Sequence, residues 1–382
     1  MPEAFDRRRF VRLTGITALA AAGMGTLAVV DGWNTSRPTW AVPGALTAST
    51  ADRTASPETQ RLLGWLTGLR SRSTKRVVSG QQLRGDAEPS YAEYVQRLAD
   101  KTGKHVAMVG VGFNAGWSDR NTPVLIDHWR IGGLVTIEFH PSNPWWAHTG
   151  VESAWMQDAL APKPDLRRLI STAPPSPERD RWIAQREHLA DALSGLAEAG
   201  VVVLLRMLHE SNGSWFWWGQ DMATRRTAVC ELYWDTFAHL TYTRGLHNLL
   251  WVYSPAASWD GPPMQYYPGD EFVDIVAPTR YDDEMMMLGS RPGEEDHRDY
   301  ADLLASGKPL AFGECGPNAH TDGSWDTRTI IEQIRGNYRE MSYFLCWHGW
   351  EGSIVELVNS QHTSELLHDD WVITLQDVDW RG

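Results

Sequence analysis

Eight short apolar runs, separated by longer segments of helical period, constrain the fold of this 382-residue chain more than any other feature. The runs have the length of strands and are rich in β-branched residues, and the segments between them are long enough for helices. The runs begin at Val77, His105, Leu134, Val201, Leu249, Val273, Pro309 and Tyr343. This alternation is typical of β–α units and not of hairpins.

The segments between the runs carry apolar residues at helical spacing. Before the fourth run, Trp182, Leu189 and Leu193 fall on one helical face, and Gly200 follows as a stop signal. Residues 327–341, before the eighth run, behave in the same way. Eight largely hydrophobic strands with helices between them predict an α/β fold, a single (β/α)8 TIM barrel over residues 57–382.

Functional side chains of such a barrel lie at the carboxyl ends of its strands. In this sequence the predicted strand ends carry a set of polar and aromatic residues. They are His140, His209, Glu210, Tyr281, Glu314 and Trp347. We therefore expect these side chains to meet at one mouth of the barrel.

Two of the strand-end residues, Glu210 and Glu314, indicate glycoside hydrolysis. Cleavage of an acetal needs one carboxyl group that protonates the leaving oxygen and a second that attacks or stabilises the anomeric carbon. A glutamate at a barrel mouth can instead be a salt-bridge partner. The aromatic stretch "SWFWWG", residues 214–219, follows Glu210, and aromatic rings beside acids are typical of sugar subsites. The 20 tryptophans of the chain suit either sugar stacking or a tryptophan-rich core.

Composition and motifs exclude several other classes. The 35 basic against 48 acidic residues leave a net charge of −13, which repels nucleic acid and fits a neutral partner better. The stretch "HESNG" lacks the second histidine of a zinc-binding H-E-x-x-H motif, and neither a phosphate loop nor a G-x-S-x-G elbow is present. The three cysteines match no metal spacing, so we expect at least one free thiol. No metal or cofactor is predicted.

The stretch "RMLHESNGSWFWWG", residues 206–219, closely resembles the acid/base motif of glycoside hydrolase family 26, and "AFGECGP" resembles its nucleophile motif. The similarity extends from about residue 74 onward. "VVSGQQ" looks like the first strand, "WRIGGLVTIEFHPSNPW" like the third strand and its loop, and "YFLCWHGW" like the eighth. This resemblance implies a retaining glycosidase. The family is known mainly for endo-β-1,4-mannanases, with some members acting on mixed-linkage β-glucan or β-1,3-xylan.

Carried over to this chain, the resemblance implies that Glu210 is the general acid/base and Glu314 the nucleophile. The subsite for the reacting sugar would be lined by His140, His209, Trp215 and Tyr281. Trp347, which closes the eighth strand, would lie beneath that sugar. The substrate expected from this resemblance is a β-1,4-mannan polysaccharide or oligosaccharide.

Two segments depart from the usual mannanase pattern. "VGVGFNAGW" after the second strand lacks the acidic residue of "GxDY", and "APTRY" stands where "GLDxY" is common. A mixed-linkage β-glucanase and a β-1,3-xylanase of the same mechanism are therefore kept as alternatives. A non-catalytic carbohydrate-binding barrel, which would keep the aromatic residues but would not need the two acids, is a further alternative. Residues 141–177, which include Trp155, are expected to form a long subsite loop that shapes the specificity.

The N-terminus predicts export. "RRRFVRLTG", with the pair Arg7 and Arg8, precedes a weakly apolar run over residues 13–30, which together resemble a twin-arginine signal. An uncleaved membrane anchor is the alternative. Residues 31–56 are rich in Pro, Ser and Thr and predict a linker. We thus expect a secreted monomer that engages the twin-arginine export machinery.

Overall fold

The computed structural model describes most of the chain after the predicted export signal. The described residues are 49–114, 117, 119–146, 165–219, 223–257, 261–283, 285, 298–318, 321–350 and 352–381. The signal at 1–30, the linker up to residue 48 and residues 147–164 of the predicted subsite loop, with Trp155, lie outside them.

The strands of the described chain belong to one parallel sheet. In chain order they are β1 Val77–Leu83, β2 Met108–Phe113, β3 Leu134–Phe139, β4 Val203–Met207, β5 Leu249–Tyr253, β6 Ile275–Val276, β7 Thr279–Tyr281, β8 Leu310–Gly316, β9 Met341–Cys346 and β10 Val372–Ile373. Each of the eight apolar runs overlaps at least one strand, as the sequence predicts.

The sheet closes on itself because β9 pairs with both β8 and β1. The short strands β6 and β7 share the sixth position of the barrel, since both pair with β8 and only residues 277 and 278 separate them. The last strand, β10, pairs with the start of β1 through Val77 and Val372. The prediction of a (β/α)8 barrel is confirmed.

Helices fill the connections between the strands. They are α1 Pro57–Leu69, α2 Ala87–Tyr91, α3 Arg97–Thr102, α4 Asn121–Arg130, α5 Pro177–Glu198, α6 Ala223–Ala238, α7 Arg298–Ala305, α8 Arg328–Gly336 and α9 Thr363–His368. A π-helical turn, Ala92–Gln96, joins α2 to α3. None of the helices within the described chain is long and apolar enough to span a bilayer.

The longest helix, α5, shows how local sequence sets the element bounds. The Ser176 side chain accepts a hydrogen bond from the Arg179 N–H, and Pro177 occupies the first turn, where it loses no helical hydrogen bond. The helix ends at Glu198, and Gly200, two residues later, has a left-handed backbone with φ of +73°. Its apolar face, with Trp182 and Leu193, is fully buried against the barrel.

The amino end of the barrel is closed by the chain ahead of α1. The Ala51 N–H donates to Asp274 at 2.6 Å, and Asp52 lies 2.8 Å from the His247 ring. Asp274 also accepts the Trp251 N–H, so a buried carboxylate links three segments of backbone. These contacts place the start of the packed chain a few residues before the boundary predicted at residue 57.

The three cysteines are buried free thiols, as expected for at least one of them. Cys315 on β8 and Cys346 on β9 are register partners, and their sulfur atoms lie 3.9 Å apart. Each therefore acts as a small apolar side chain of the core.

Candidate active site

Three charged side chains meet inside the carboxyl end of the barrel. Glu138 on β3 and Arg206 on β4 are register partners, and Glu314 reaches the same point from β8. The Arg206 Nη2 contacts Glu138 Oε2 and lies 2.6 Å from Glu314 Oε1. A second guanidinium nitrogen, Nη1, donates to Ser254 Oγ at 3.2 Å. The two carboxylates therefore share one guanidinium nitrogen.

Burial makes these pairings necessary, because an unpaired charge in the interior is strongly destabilising. Glu138, Arg206 and Glu314 are each at most 2% exposed. Burial by itself raises the pKa of Glu138, but interactions with His140, His209 and Arg206 outweigh it and hold the pKa well below the usual range. Burial opposes the charge of Arg206, yet the two carboxylates raise its pKa above the ordinary value.

Two histidines flank the charged side chains. The His140 Nδ1 contacts Glu138 Oε1, and the His209 Nε2 lies 3.7 Å from the same oxygen and 4.0 Å from Glu314 Oε1. The two imidazole rings meet edge to face, with centroids 4.5 Å apart. His209 thus lies beside the carboxylates of both Glu138 and Glu314.

Glu210 lies in a strained turn immediately after β4. The strand ends at Met207, and both Leu208 and Glu210 have left-handed backbones, with φ of +45° and +53°. Non-glycine residues seldom adopt this conformation, and it recurs where surrounding contacts impose it. Here the Glu210 N–H donates to the Ser254 carbonyl at 2.6 Å, and the Trp218 indole donates to the His209 carbonyl at 2.8 Å.

The side chain of Glu210 is held by the loop that follows. The half-buried Trp215 donates its indole N–H to Glu210 Oε2 at 2.6 Å. This approach requires glycine at position 213, because a Cβ there would lie 2.3 Å from the Trp215 ring. Asn212 anchors the loop through two hydrogen bonds with the Ala256 backbone.

Glu314 is held from two sides. The Tyr281 hydroxyl donates to Glu314 Oε2 at 2.8 Å, while Arg206 contacts the other oxygen. Tyr281 and Glu314 come from neighbouring strands, β7 and β8, in which Thr279 is the register partner of Glu314. The outer face of Tyr281 meets Trp350 edge to face at 5.9 Å.

Trp347 borders the same cluster at the end of β9. Its ring is half-buried, and the Arg206 guanidinium carbon lies 5.9 Å from the ring centroid. The backbone carbonyl accepts from the buried Gln81 side chain at 3.1 Å. The ring is therefore anchored by its backbone and keeps part of its surface exposed.

The interpretation of the stretch "SWFWWG" as part of a sugar subsite is wrong for three of its four rings. Phe216, Trp217 and Trp218 are at most 1% exposed, so they belong to the core. Phe216 stacks on Trp218 with centroids 4.4 Å apart, and Trp217 donates its indole N–H to the Pro141 carbonyl. These rings pack beneath the mouth and support His209, whose ring lies 4.8 Å from Phe216.

Sequence reasoning missed two of the charged residues, Glu138 and Arg206. Both lie within runs that are otherwise apolar, "LVTIEFH" and "VVVLLRMLHE", and were read only as strand residues. A lone charged residue inside a buried strand must find a partner. That signal marks both positions, although the sequence alone does not reveal the partner.

One group of side chains has the composition of a metal site. Glu138, His140 and His209 bring one potential ligand atom each within 4.8 Å of one another. However, the Arg206 guanidinium contacts Glu138 and already supplies the positive charge there. We therefore assign no metal to this cluster.

Residues 51–377 match the family model of glycosyl hydrolase family 26. The chain belongs to this family. It is 32% identical over 349 residues to mannan endo-1,4-β-mannosidase A and B of Caldalkalibacillus mannanilyticus, covering 87% of this chain but 64% of that protein. It is 31% identical over 344 residues to a Bacillus subtilis mannan endo-1,4-β-mannosidase, covering 86% and 89% of the two chains.

Solved structures agree with this assignment. The Bacillus subtilis mannanase BCman superposes with a TM-score of 0.74 at 29% identity, covering 85% of this chain and 95% of that chain. A second mannanase structure from the same organism, man26, gives a TM-score of 0.72 at the same identity. The expected membership of family 26 is therefore confirmed.

Proposed function

We propose that this protein is a retaining endo-β-1,4-mannanase in which Glu314 is the nucleophile and Glu210 the general acid/base. The observation that carries the proposal is the contrast between the two carboxylates. Glu314 is bound by a guanidinium and a phenol, which favours its ionised form, whereas the Glu210 carboxylate accepts one indole N–H from the described residues. The mannanase names of the relatives support mannan as the substrate.

In the first step Glu314 attacks the anomeric carbon, and the bond to the leaving sugar breaks. Glu210, in its protonated form, gives its proton to the departing glycosidic oxygen. The product is a glycosyl ester of Glu314. Arg206 and Tyr281 hold the attacking carboxylate in one orientation, so little reorganisation is needed during the attack.

In the second step Glu210, now ionised, removes a proton from water as the water attacks the anomeric carbon. The ester bond breaks and Glu314 leaves as a carboxylate. Both glutamates thereby return to their starting protonation states, and the product keeps the β-configuration of the substrate.

The remaining residues of the mouth would bind the reacting sugar. His140 would bind a hydroxyl, Trp347 would lie beneath the ring, and His209, Trp215 and Tyr281 would complete the subsite. A neutral polysaccharide suits the net charge of −13, which gives no electrostatic attraction for polyanions. The chemistry assigned to the two glutamates uses neither a metal nor an organic cofactor.

Release of reducing sugar from soluble β-1,4-mannan, mixed-linkage β-glucan and β-1,3-xylan tests the proposal. We expect release from mannan, with Glu314→Ala as the inactive control. Faster release from glucan or xylan would keep the mechanism and change the substrate. A folded protein that binds these polysaccharides and releases nothing from any of them would be a non-catalytic binding barrel.

Proton NMR of a fresh digest of mannan oligosaccharide tests the stereochemistry. A retaining pair of carboxylates lies about 5 to 5.5 Å apart, and an inverting pair about 6.5 to 9.5 Å apart. We expect the β-anomer first, with the α-anomer appearing only through mutarotation. The α-anomer as the initial product would refute double displacement.

We also propose that the protein is exported as a monomer through the twin-arginine pathway. The support is the sequence pattern at Arg7 and Arg8. Replacing both with Lys should leave the enzyme inside the cell, and normal extracellular activity of that variant would refute the assignment. Light scattering of the secreted protein measures its mass in solution. A mass of twice that of the chain would contradict the proposal of a monomer.

A further inference from the structure

Glu138 occupies an unusual position for a carboxylate. It lies within β3, is 1% exposed and contacts protein through both oxygens, Oε2 with Arg206 and Oε1 with His140. The roles assigned above to Glu210 and Glu314 leave it without a chemical step. A buried glutamate among so many charged neighbours must act through them or serve only the fold.

Its first neighbour, Arg206, connects it to Glu314. Because one nitrogen, Nη2, contacts both carboxylates, Glu138 competes with Glu314 for the same positive charge. A guanidinium paired with Glu314 alone would neutralise that carboxylate more completely. A more neutralised carboxylate is a weaker nucleophile.

Glu138 also fixes the tautomer of its second neighbour, His140. The carboxylate of Glu138 can only accept, so the His140 Nδ1 that contacts it carries a proton. The Nε2 of a neutral His140 is then an acceptor. Such a nitrogen can take a hydrogen bond from a sugar hydroxyl, the part proposed for this residue.

We propose that Glu138 is a positioning residue for the reaction: it keeps Glu314 nucleophilic by sharing Arg206 with it, and it sets the tautomer of His140. This inference rests on the proposed function of Glu314. Within the described chain, the titratable groups that interact with Glu138 are His140, Arg206, His209 and His348, while Tyr343 interacts with Arg206 and Tyr281 with Glu314. Burial raises the pKa of Tyr343 and lowers that of His348, which keeps both neutral near neutral pH.

The test is the pH profile of kcat/KM for an aryl β-mannobioside with Glu138→Gln. Removing a negative charge beside Glu314 favours its ionisation, so the acidic limb should move to lower pH by about one unit. At neutral pH kcat/KM should fall on the order of tenfold because the nucleophile is weaker. Glu138→Asp keeps the charge and should leave the acidic limb near its wild-type position.

Glu178→Gln is the matched control, because Glu178 is also buried and paired with an arginine, Arg168, but lies on α5 away from Glu314. It should reproduce the wild-type profile. If Glu138→Gln loses the wild-type near-ultraviolet circular dichroism, the same shift of the acidic limb is expected for Glu138→Ser. The smaller neutral side chain of that variant leaves room for water beside Arg206.

An acidic limb that stays in place for a folded Glu138→Gln or Glu138→Ser would overturn the inference, and so would loss of the native fold in both variants. A wild-type enzyme that cleaves no mannoside would instead refute the proposed substrate. In that case the same pH comparison is made with the aryl glycoside of the polysaccharide that is cleaved.

Discussion

The surroundings of Glu210 and Glu314 differ sharply, although both glutamates are buried at the same end of the barrel. Glu314 belongs to strand β8 and contacts a guanidinium and a phenolic hydroxyl. Glu210 follows its strand in a left-handed turn, and its carboxylate forms no ion pair with any other residue in the described part of the chain. The partners of a carboxylate, more than its place in the barrel, therefore decide which chemical step it can perform.

The backbone settings of the two residues reinforce this difference. The ladder between β7 and β8 fixes Glu314, with Thr279 opposite it. Glu210 depends on a network of loop contacts, including its own N–H to Ser254 and the Trp215 indole. One acid is thus placed by the barrel and the other by the loop after β4, so substitutions should affect them separately.

The largest effect is expected for Glu314→Ala. Without a carboxylate at this position no glycosyl ester can form, and turnover should fall by about 10⁴-fold or more on every substrate. Initial rates on mannan and on an aryl β-mannobioside measure the loss. Substantial activity of a pure, folded variant on either substrate would contradict the assignment of the nucleophile.

Glu210→Ala should lose about 10³-fold on mannan, whose leaving sugar needs protonation. For an aryl glycoside with a good leaving group, the rate of the first step should fall much less. The second step stays slow, so the glycosyl-enzyme should accumulate and a burst of released phenol should appear. Stopped-flow absorbance measures this burst. Equal losses on both substrates, with no burst, would show that Glu210 is not the acid.

Trp347→Ala tests whether a ring at the mouth binds substrate or supports the core. We expect kcat/KM to fall by roughly 30-fold, about 2 kcal/mol of transition-state binding, with little change in Tm because the ring is only half-buried. Trp217→Ala is the contrasting variant, since that ring is fully buried and its loss should lower Tm strongly. A large drop in Tm for Trp347→Ala with normal kinetics would assign that ring to the core.

Tyr281→Phe removes the hydroxyl that donates to Glu314 and should lower kcat on all substrates by about tenfold, as expected for one hydrogen bond to a charged group. Trp215→Phe is the matched variant, because it removes the N–H that donates to Glu210. Its effect should be larger on mannan than on the aryl glycoside. The same substrate dependence for both variants would remove the distinction between the two glutamates.

The sequence predicted the barrel well because its signal is local. Each strand is a buried run, and helical spacing marks α5 and α8 between them. Glu210 and Glu314 could be proposed from the sequence for a similar reason, since each closes or nearly closes such a run within a recognisable motif. The interruption of the sixth strand at residues 277 and 278 was not predicted, and there a proline, Pro278, removes an N–H from the ladder.

The residues that sequence reasoning missed or misread depend on distant partners. Glu138 and Glu314 both reach Arg206 only because β3, β4 and β8 face one lumen, and the two residues are far apart in sequence. Phe216 and Trp215 are adjacent, yet one ring is buried beneath the mouth and the other borders it, which no spacing reveals. Loop geometry fixes that choice, through the left-handed turn at Glu210 and the space left by Gly213.

Trapping of the glycosyl-enzyme tests the central claim most directly. A slow-reacting fluorinated aryl β-mannoside should form an ester that accumulates, and peptide mass spectrometry of the digested protein then locates the modified residue. We expect one added sugar on Glu314 and none in the Glu314→Ala variant. A stable adduct on Glu210 or Glu138 would contradict it.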